Sequence, residues 1–418
     1  MSIPLLLQAT QDNLDLARAR AMLRAARARH GLVEASRYPR LGVAASAARA
    51  HESANVPSTA QGQPGETDNL FQLGFDANWE IDLFGARQHE RDASAADLGA
   101  VQDDTAAVRL SVLAEVARNY VQLRGIEAQI ALARQSAMTA DEAKTLAHSR
   151  LTAGIGTESE LLAAKADLAA AQAAIEPLDA TRKVTQHRLA VLTGSTPGEI
   201  ERELEAGQAI ATVPATLPGD LPSDLLQRRP DIRAAERRLA AATARTGAAQ
   251  ADWYPRFSLQ GDIGLASAAL GSLPNAASRT WSIGPSLSWP ILRAGQITAT
   301  VAVRDAEQQA ALLAYRQAIL MAMEEVEDAL ATYRHEQLQH ARLLAAVVTA
   351  RDRVALAQSN FDGGMSDFRS VLAVNQSLGE AQKALVHSDI ALATEWIAIH
   401  KALGGDWCEG GKACVTSH

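Results

Sequence analysis

The residues best suited to chemistry are His335, Glu336 and His340, two imidazoles flanking a carboxylate as in zinc-dependent hydrolysis. That chemistry needs histidines four residues apart on one helical face, whereas these are five apart, which turns the second about 140° round the axis. They read as solvated helix histidines. Gly154 and Gly156 could open a phosphate-cradling turn, but a dinucleotide fingerprint also needs a third glycine and a preceding strand. Neither accompanies them. Cys408 and Cys414 are the only cysteines. They could pair in an oxidising compartment or hold a metal with a stray histidine, and the simpler reading is a loose disulfide or free thiols. Two thiols exclude a disulfide framework and a four-thiolate zinc site. With no nucleophile and base brought together, the chain reads as a non-enzyme without cofactor, cofactor-binding residues or metal ligands.

What positions any function is therefore the scaffold. The 418 residues include only 6 Phe, 6 Trp and 5 Tyr, and Ala, Leu and Val carry the apolar content, a palette suited to long helices packed at close range. The formal net charge of −8 repels phosphate, so nucleic acid is not an expected partner. No uncharged apolar run is long enough for a transmembrane helix. The opening Met-Ser-Ile-Pro-Leu-Leu-Leu lacks a basic start, a full apolar core and a small-residue cleavage site, so it does not read as a signal peptide.

The chain also repeats itself. Tyr38-Pro39-Arg40 recurs as Tyr254-Pro255-Arg256, and further on Gly74, Trp79, Gly85 and Glu115 recur as Gly284, Trp289, Gly295 and Glu325. That second register holds through Gly154 with Gly364 and Gly194 with Gly404. Chance alanine matches are expected in such a chain, but paired Trp and Gly in one register are not. The expected organisation is a first repeat over 1–194, a linker over 195–222 in which Pro197, Pro214, Pro218 and Pro222 break any long element, a second repeat over 223–404, and an irregular tail over 405–418.

Each repeat reads as helix, two strands and two helices. Over 70–81, Phe71, Leu73, Phe75, Ala77, Trp79 and Ile81 alternate with Gln72, Gly74, Asp76, Asn78 and Glu80. Over 280–291, Trp281, Ile283, Leu287, Trp289 and Ile291 alternate with Ser282, Gly284, Ser286 and Ser288. Period two predicts strands, preceded by strands over about 40–50 and 256–266. A soluble half-buried hairpin alternates in the same way. Four such strands flanked by aromatics, with no other sheet to join, favour a membrane β-barrel wall. Four strands cannot close a barrel, so several chains must contribute. Helical patterns then run over about 86–151 and 157–192, and over 296–361 and 366–403. The longer ones reach roughly 100 Å at 1.5 Å per residue, with apolar spacing of three and four that suits coiled coils. Pro177 should bend the second helix locally.

The helix pairs turn at Gly154-Ile155-Gly156-Thr157 and at Gly363-Gly364-Met365-Ser366, where glycine suits a left-handed cap and Thr157 and Ser366 suit N-caps. Such tips are places where another machine could dock.

Several motifs together resemble the outer-membrane efflux protein family, the TolC-like channels of the NodT type. They are Leu225-Leu226-Gln227-Arg228-Arg229-Pro230-Asp231-Ile232 followed by Trp253-Tyr254-Pro255-Arg256, then Trp289-Pro290-Ile291, Glu324-Glu325-Val326-Glu327-Asp328 and Lys401-Ala402-Leu403-Gly404-Gly405-Asp406-Trp407. The resemblance covers nearly the whole chain. It implies a mainly α fold with a membrane β-barrel part: a homotrimer with a twelve-stranded barrel in the outer membrane, continued by a long α-helical barrel in the periplasm. It further implies a passive duct for small molecules, joined through a periplasmic adaptor (membrane fusion protein) to an inner-membrane pump driven by protons. On this reading Gln72, Asp76, Asn78, Gln260 and Asp262 face the barrel lumen while apolar positions meet outer-membrane lipid. Gly154, Gly156, Thr157, Glu158, Gly364, Ser366, Asp367, Arg369, Ser370 and Ala373 form the periplasmic tip, gate and adaptor-docking region.

The chain departs from the family pattern in two places. Relatives often carry acids in the helix after the second tip, but the matching positions here are Ser370 and Ala373, with Arg369 nearby and Asp367 the closest acid. A differently charged gate is expected. Relatives also begin with a signal peptide, often a lipidated cysteine, and several dozen residues before the first helix, so an N-terminal truncation is expected. Two other readings use the same residues: the outer-membrane duct of a type I protein secretion system, and a soluble coiled-coil scaffold. The scaffold needs no lipid-facing strands.

Overall fold

The computed structural model describes residues 3–51, 53, 67–204 and 228–405. The expectations for most of the linker, the 405–418 tail beyond Gly405, and Cys408 and Cys414 lie outside the described residues. Two compact units divide the chain. One comprises Met1–Ala21, Asp103–Arg233 and Gln317–His418, and the other Met22–Gln102 and Ala234–Arg316, so each draws on both halves of the sequence.

In chain order the elements are α1 (Ile3–Asp12), α2 (Leu14–Ala35), β1 (Arg40–His51), β2 (Thr67–Ile81), α3 (Ala86–Thr152), α4 (Glu158–Ala173), α5 (Ile175–Thr193), α6 (Pro197–Leu204), α7 (Pro230–Ala251), β3 (Arg256–Ser267), β4 (Arg279–Ser288), α8 (Ala294–Asp362) and α9 (Phe368–Ala402). Short 3-10 turns occupy Leu270–Ser272, Ala276–Ser278 and Ile291–Arg293. No helix among the described residues is long and apolar enough to cross a membrane.

The second unit holds one antiparallel sheet in the order β1-β2-β3-β4, which leaves β1 and β4 as its edges. The hairpins of the two halves meet at β2 and β3, where Gly74 lies opposite Gly264. This approach has no room for a side chain, since a Cβ on Gly264 would stand 2.6 Å from the Leu73 carbonyl oxygen. Where the strands join the helices, Trp79 Nε1 donates to the Arg37 carbonyl at 3.0 Å and Trp289 Nε1 to the Trp253 carbonyl at 3.2 Å. Phe84 stacks on Tyr254 with ring centroids 4.6 Å apart.

The first unit is helical. Leu5 and Ala9 of α1 pack with Val112, Val116, Tyr120 and Leu123 of α3, Leu189 and Leu192 of α5, and Ile200 and Leu204 of α6. Asn13 separates α1 from α2. Its side chain is buried, donates to the Leu192 carbonyl at 2.9 Å and accepts from the Leu16 N–H, and so caps the second helix while tying it to α5. Ala114, Ala117 and Val121 of α3 meet Ala393 and Ile397 of α9. The helices come so close there that a Cβ on Gly125 would stand 2.2 Å from the Ile390 side chain. Tyr333 of α8 packs against Ile399 and Trp396 of α9.

Three local features differ from the sequence reading. The helix expected over 157–192 is two helices parted at Ala174, because Pro177 has no N–H for the residue 173 carbonyl and its ring crowds that oxygen. The segment expected as linker begins with α6, in which Pro197 starts the helix instead of breaking it, and Thr196 N–H and Oγ1 both donate to Glu199. Ile291, placed with the strand's apolar face, lies in a 3-10 turn, since β4 stops at Ser288 just before Trp289-Pro290.

Candidate functional site

Residues paired across antiparallel strands point to the same side of a sheet, so the register assigns every strand position to a face. Asn78 opposes Gln260, Asp76 opposes Asp262, and Gln72 opposes Ala266. All five wall candidates, Gln72, Asp76, Asn78, Gln260 and Asp262, therefore share one face. One row on it runs Gly42, Asp76, Asp262, Ser282 across all four strands. Asp76 lies over Gly42, within 2.7 Å of where a Cβ would stand. Ser282 Oγ donates to Asp262 Oδ1, and Ser46 Oγ donates to Gln72 Oε1 at 3.2 Å. This face carries hydroxyls, amides and carboxylates suited to a water-filled surface.

The opposite face carries Leu41 and Val43 of β1, Leu73, Phe75, Trp79 and Ile81 of β2, Ile263 of β3, and Trp281, Ile283 and Leu287 of β4, all exposed. Trp281 is 72% accessible and Ile283 68%. So much contiguous apolar surface is far more than a soluble monomer leaves in water. The strands are 12, 15, 12 and 10 residues long, against about 9–11 needed to span a bilayer when tilted.

The tips belong to the other unit. Gly154 has φ 75° and Gly364 φ 70°. At both, the next residue's N–H returns to a carbonyl five residues back, Ile155 to Arg150 at 3.0 Å and Met365 to Asn360 at 2.8 Å, the Schellman geometry that ends a helix on a left-handed residue. Gly156 packs tightly, with a would-be Cβ 2.9 Å from the Leu151 nitrogen. Thr157 caps α4 through a capping box: Glu160 N–H donates to Thr157 Oγ1 at 3.2 Å, and Thr157 N–H donates to Glu160 Oε2 at 3.3 Å. Glu158 in the first turn adds favourable negative charge. At the second tip the N-cap is Asp367, which accepts from Ser370 N–H at 3.0 Å. Ser366, expected as that cap, precedes it, and its buried Oγ has no partner. Ser370 and Ala373 are exposed on α9.

Arg369 is brought to the first tip. Its Nη2 donates to Glu160 Oε1 at 3.0 Å. Glu160 is the tip residue that sequence reasoning missed, although Thr157-Glu158-Ser159-Glu160 carries the capping-box signature that could have found it. The tips thus hold an ion pair, and Asp367 is engaged as a cap.

Residues of three of the sequence motifs, Arg229-Pro230-Asp231, Glu324-Glu325 and Lys401-Ala402, meet in this unit. Arg229, nearly buried, donates from Nη2 to Asp231 at 2.8 Å and to Glu325 at 2.7 Å, and from Nη1 to the Ala402 carbonyl at 2.8 Å. Lys401 Nζ lies 3.3 Å from Glu325. Burial alone would raise the Asp231 carboxyl, but the Arg229 hydrogen bonds and charge outweigh it and hold the group below its ordinary value. A cleft of about 550 Å³ adjoins the network, lined by Leu110, Ser111, Met321, Glu324 and Asp328 among others. Of the residues considered for zinc, His340 and Glu336 serve helix contacts: His340 Nε2 lies 2.8 Å from Asp389, and Glu336 accepts from Ser388 Oγ at 2.6 Å, while His335 is exposed. Among the described residues no three His, Cys, Asp or Glu side chains are grouped to hold a metal.

The family model described as "Outer membrane efflux protein" matches residues 5–195 and 221–405. The chain is 30% identical to outer membrane protein OprJ of Pseudomonas aeruginosa over 415 residues, covering 97% of this chain and 84% of that one. It is 30% identical over 409 residues to the toluene efflux pump outer membrane protein TtgI of Pseudomonas putida, with 97% and 85% covered. Among solved structures, the outer-membrane channel OprN superposes with a TM-score of 0.88 at 33% identity, covering 97% of this chain and 90% of that one.

Proposed function

The chain belongs to the outer membrane efflux protein family, and from that premise we propose that it is the outer-membrane channel subunit of a tripartite efflux system. The carrying observation is the two-faced sheet, with exposed apolar side chains on one side and hydroxyls, amides and carboxylates on the other. In hydrocarbon every backbone N–H and C=O needs a partner, so edges β1 and β4 must pair with other copies. Because β1 and β4 run antiparallel to their neighbours throughout, a β4-to-β1 junction between copies continues the same alternation. Three copies supply twelve strands, an even number as such barrels require. Polar residues Gln72, Asp76, Asn78, Gln260 and Asp262 then line water, and the apolar face meets outer-membrane lipid.

Transport through such a duct is passive, with energy supplied by an inner-membrane pump through a periplasmic adaptor. The tips around Gly154 and Gly364 are the docking and gate region. The Arg369–Glu160 pair ties one helix pair to the other, and opening is a shear of packed helices. The name of the toluene pump relative favours small molecules over polypeptide as cargo. A tandem duplication is supported by the twin Trp79 and Trp289 hydrogen bonds, made at matching positions of the two halves.

Reconstitution in a planar lipid bilayer tests the reading. Discrete single-channel currents from a species whose cross-linked mass is three chains are expected. A monomer that stays soluble without detergent and passes no current would overturn it in favour of a scaffold.

A further inference from the structure

The charges on the apolar sheet face are few, of one sign, and at one end. Among the described strand residues on that face, the charged or titratable side chains are Arg49 and His51 of β1 and Arg279 of β4, with no carboxylate among them. The other face holds Asp68, Asp76, Glu80 and Asp262 together with Arg40 and Arg256. All four strands join their helices at the opposite end, so Arg49, His51 and Arg279 mark the loop end. Asn69 and Thr67 oppose the first two. All three basic residues are exposed. His51 Nδ1 lies 3.0 Å from Thr67 Oγ1, and neither arginine has an ion-pair partner among the described residues. Between this end and the helix end the face is apolar throughout, from Phe71 to Ile81 on β2.

We infer that these loop-end basic residues bind the phosphate groups of the outer-leaflet lipid. This rests on the membrane-channel reading, which puts the loop end at the outer surface. An exposed guanidinium at the edge of an apolar band is within reach of lipid headgroups, and arginine pairs with phosphate through parallel N–H bonds. Positive charge with no acid beside it among the described residues of that face is complementary to a phosphorylated headgroup and indifferent to an uncharged one. The cations lie on the two edge strands, so in a closed assembly Arg279 of one copy faces the β1 strand of the next. Headgroup binding there would bridge subunits.

The test measures binding of fluorescent diphosphoryl lipid A to the purified full chain, beside its dephosphorylated counterpart. Wild type should prefer the phosphorylated lipid. Arg49→Gln and Arg279→Gln should each weaken binding about fivefold and the pair about 25-fold, while Arg40→Gln on the opposite face leaves it unchanged. Equal binding of the two lipids, or equal affinity in wild type and the double variant, overturns the inference. Single-channel current is recorded on every protein. Wild type without current defeats the channel reading itself, whereas wild type that conducts but ignores the phosphate defeats only this inference. Should the double variant fail to conduct, the two single variants are read instead.

Discussion

Arg369 at the second helix hairpin donates to Glu160 at the first, 3.0 Å away across 209 residues of chain. The same carboxylate completes the capping box of Thr157, so one side chain both caps the start of a helix and ties two hairpins together. Arg369 is 74% accessible at its side chain, which limits the pair to about 1 kcal/mol or less. Under the proposed gate role, a tie of that strength would hold the tips together without locking them.

Removing either partner should therefore favour the open channel. Glu160→Ala is expected to raise mean single-channel conductance more than Arg369→Ala, because it also removes a cap interaction of about 1 kcal/mol. Identical conductance and ion selectivity in wild type and both variants would deny the pair any gate role.

The face assignment makes a second expectation sharp. Ile283→Arg sets a charge toward lipid and should cost about 2–4 kcal/mol near the bilayer midplane, read as lost heat resistance of the assembled channel. Ser282→Arg, one residue away on the other face, should assemble and change ion selectivity. Equal damage from both would mean that the faces are wrongly assigned.

The β2–β3 contact gives a third. With 2.6 Å between a would-be Gly264 Cβ and the Leu73 carbonyl oxygen, Gly264→Val must part the two hairpins. It should abolish assembly, whereas Gly284→Val, with nothing within 4 Å, should assemble. Assembly of both variants, seen by cross-linking, would count against the close approach.

Arg229 anchors the fourth. Arg229→Met removes the Arg229 bonds to Asp231, Glu325 and the Ala402 carbonyl and should cost about 2–4 kcal/mol in denaturant unfolding, toward the lower end of a buried pair because Asp231 is half exposed and Glu325 keeps Lys401. A loss below about 0.5 kcal/mol would show the network to be ornamental.

Acid should act on the same network. Asp231 is held below its ordinary value when folded, so its contribution is fully present above about pH 4, the unfolded value, and fades as pH falls through the lower folded value. The thermal midpoint of wild type should drop more steeply below pH 4 than that of Asp231→Asn. Parallel profiles would remove Asp231 from the linkage.

Much of this molecule is legible in its sequence because its signals are periodic. Alternation over 70–81 identifies both faces of β2, and the left-handed caps at Gly154 and Gly364 need only glycine and a helix end. What was hidden depends on pairing across distance. Asp76 opposite Asp262 requires two hairpins from separate halves to share a sheet, and Arg369 gives no local sign that Glu160 awaits it. Two local features carry plain sequence signals. Thr196-Pro197 followed by Glu199 is a helix start and not a break, and Pro177 marks the gap at Ala174 more firmly than a bend.

The order β1-β2-β3-β4 also bears on how such a protein reaches its membrane. Each lone chain has two strand edges with unmet backbone groups and no way to satisfy them internally, so insertion and association are a single event under the channel reading. Channel yield should then climb with the cube of subunit concentration when chains are scarce. One defective edge spoils three subunits at once, so a minority of damaged chains would poison most channels in a mixed population.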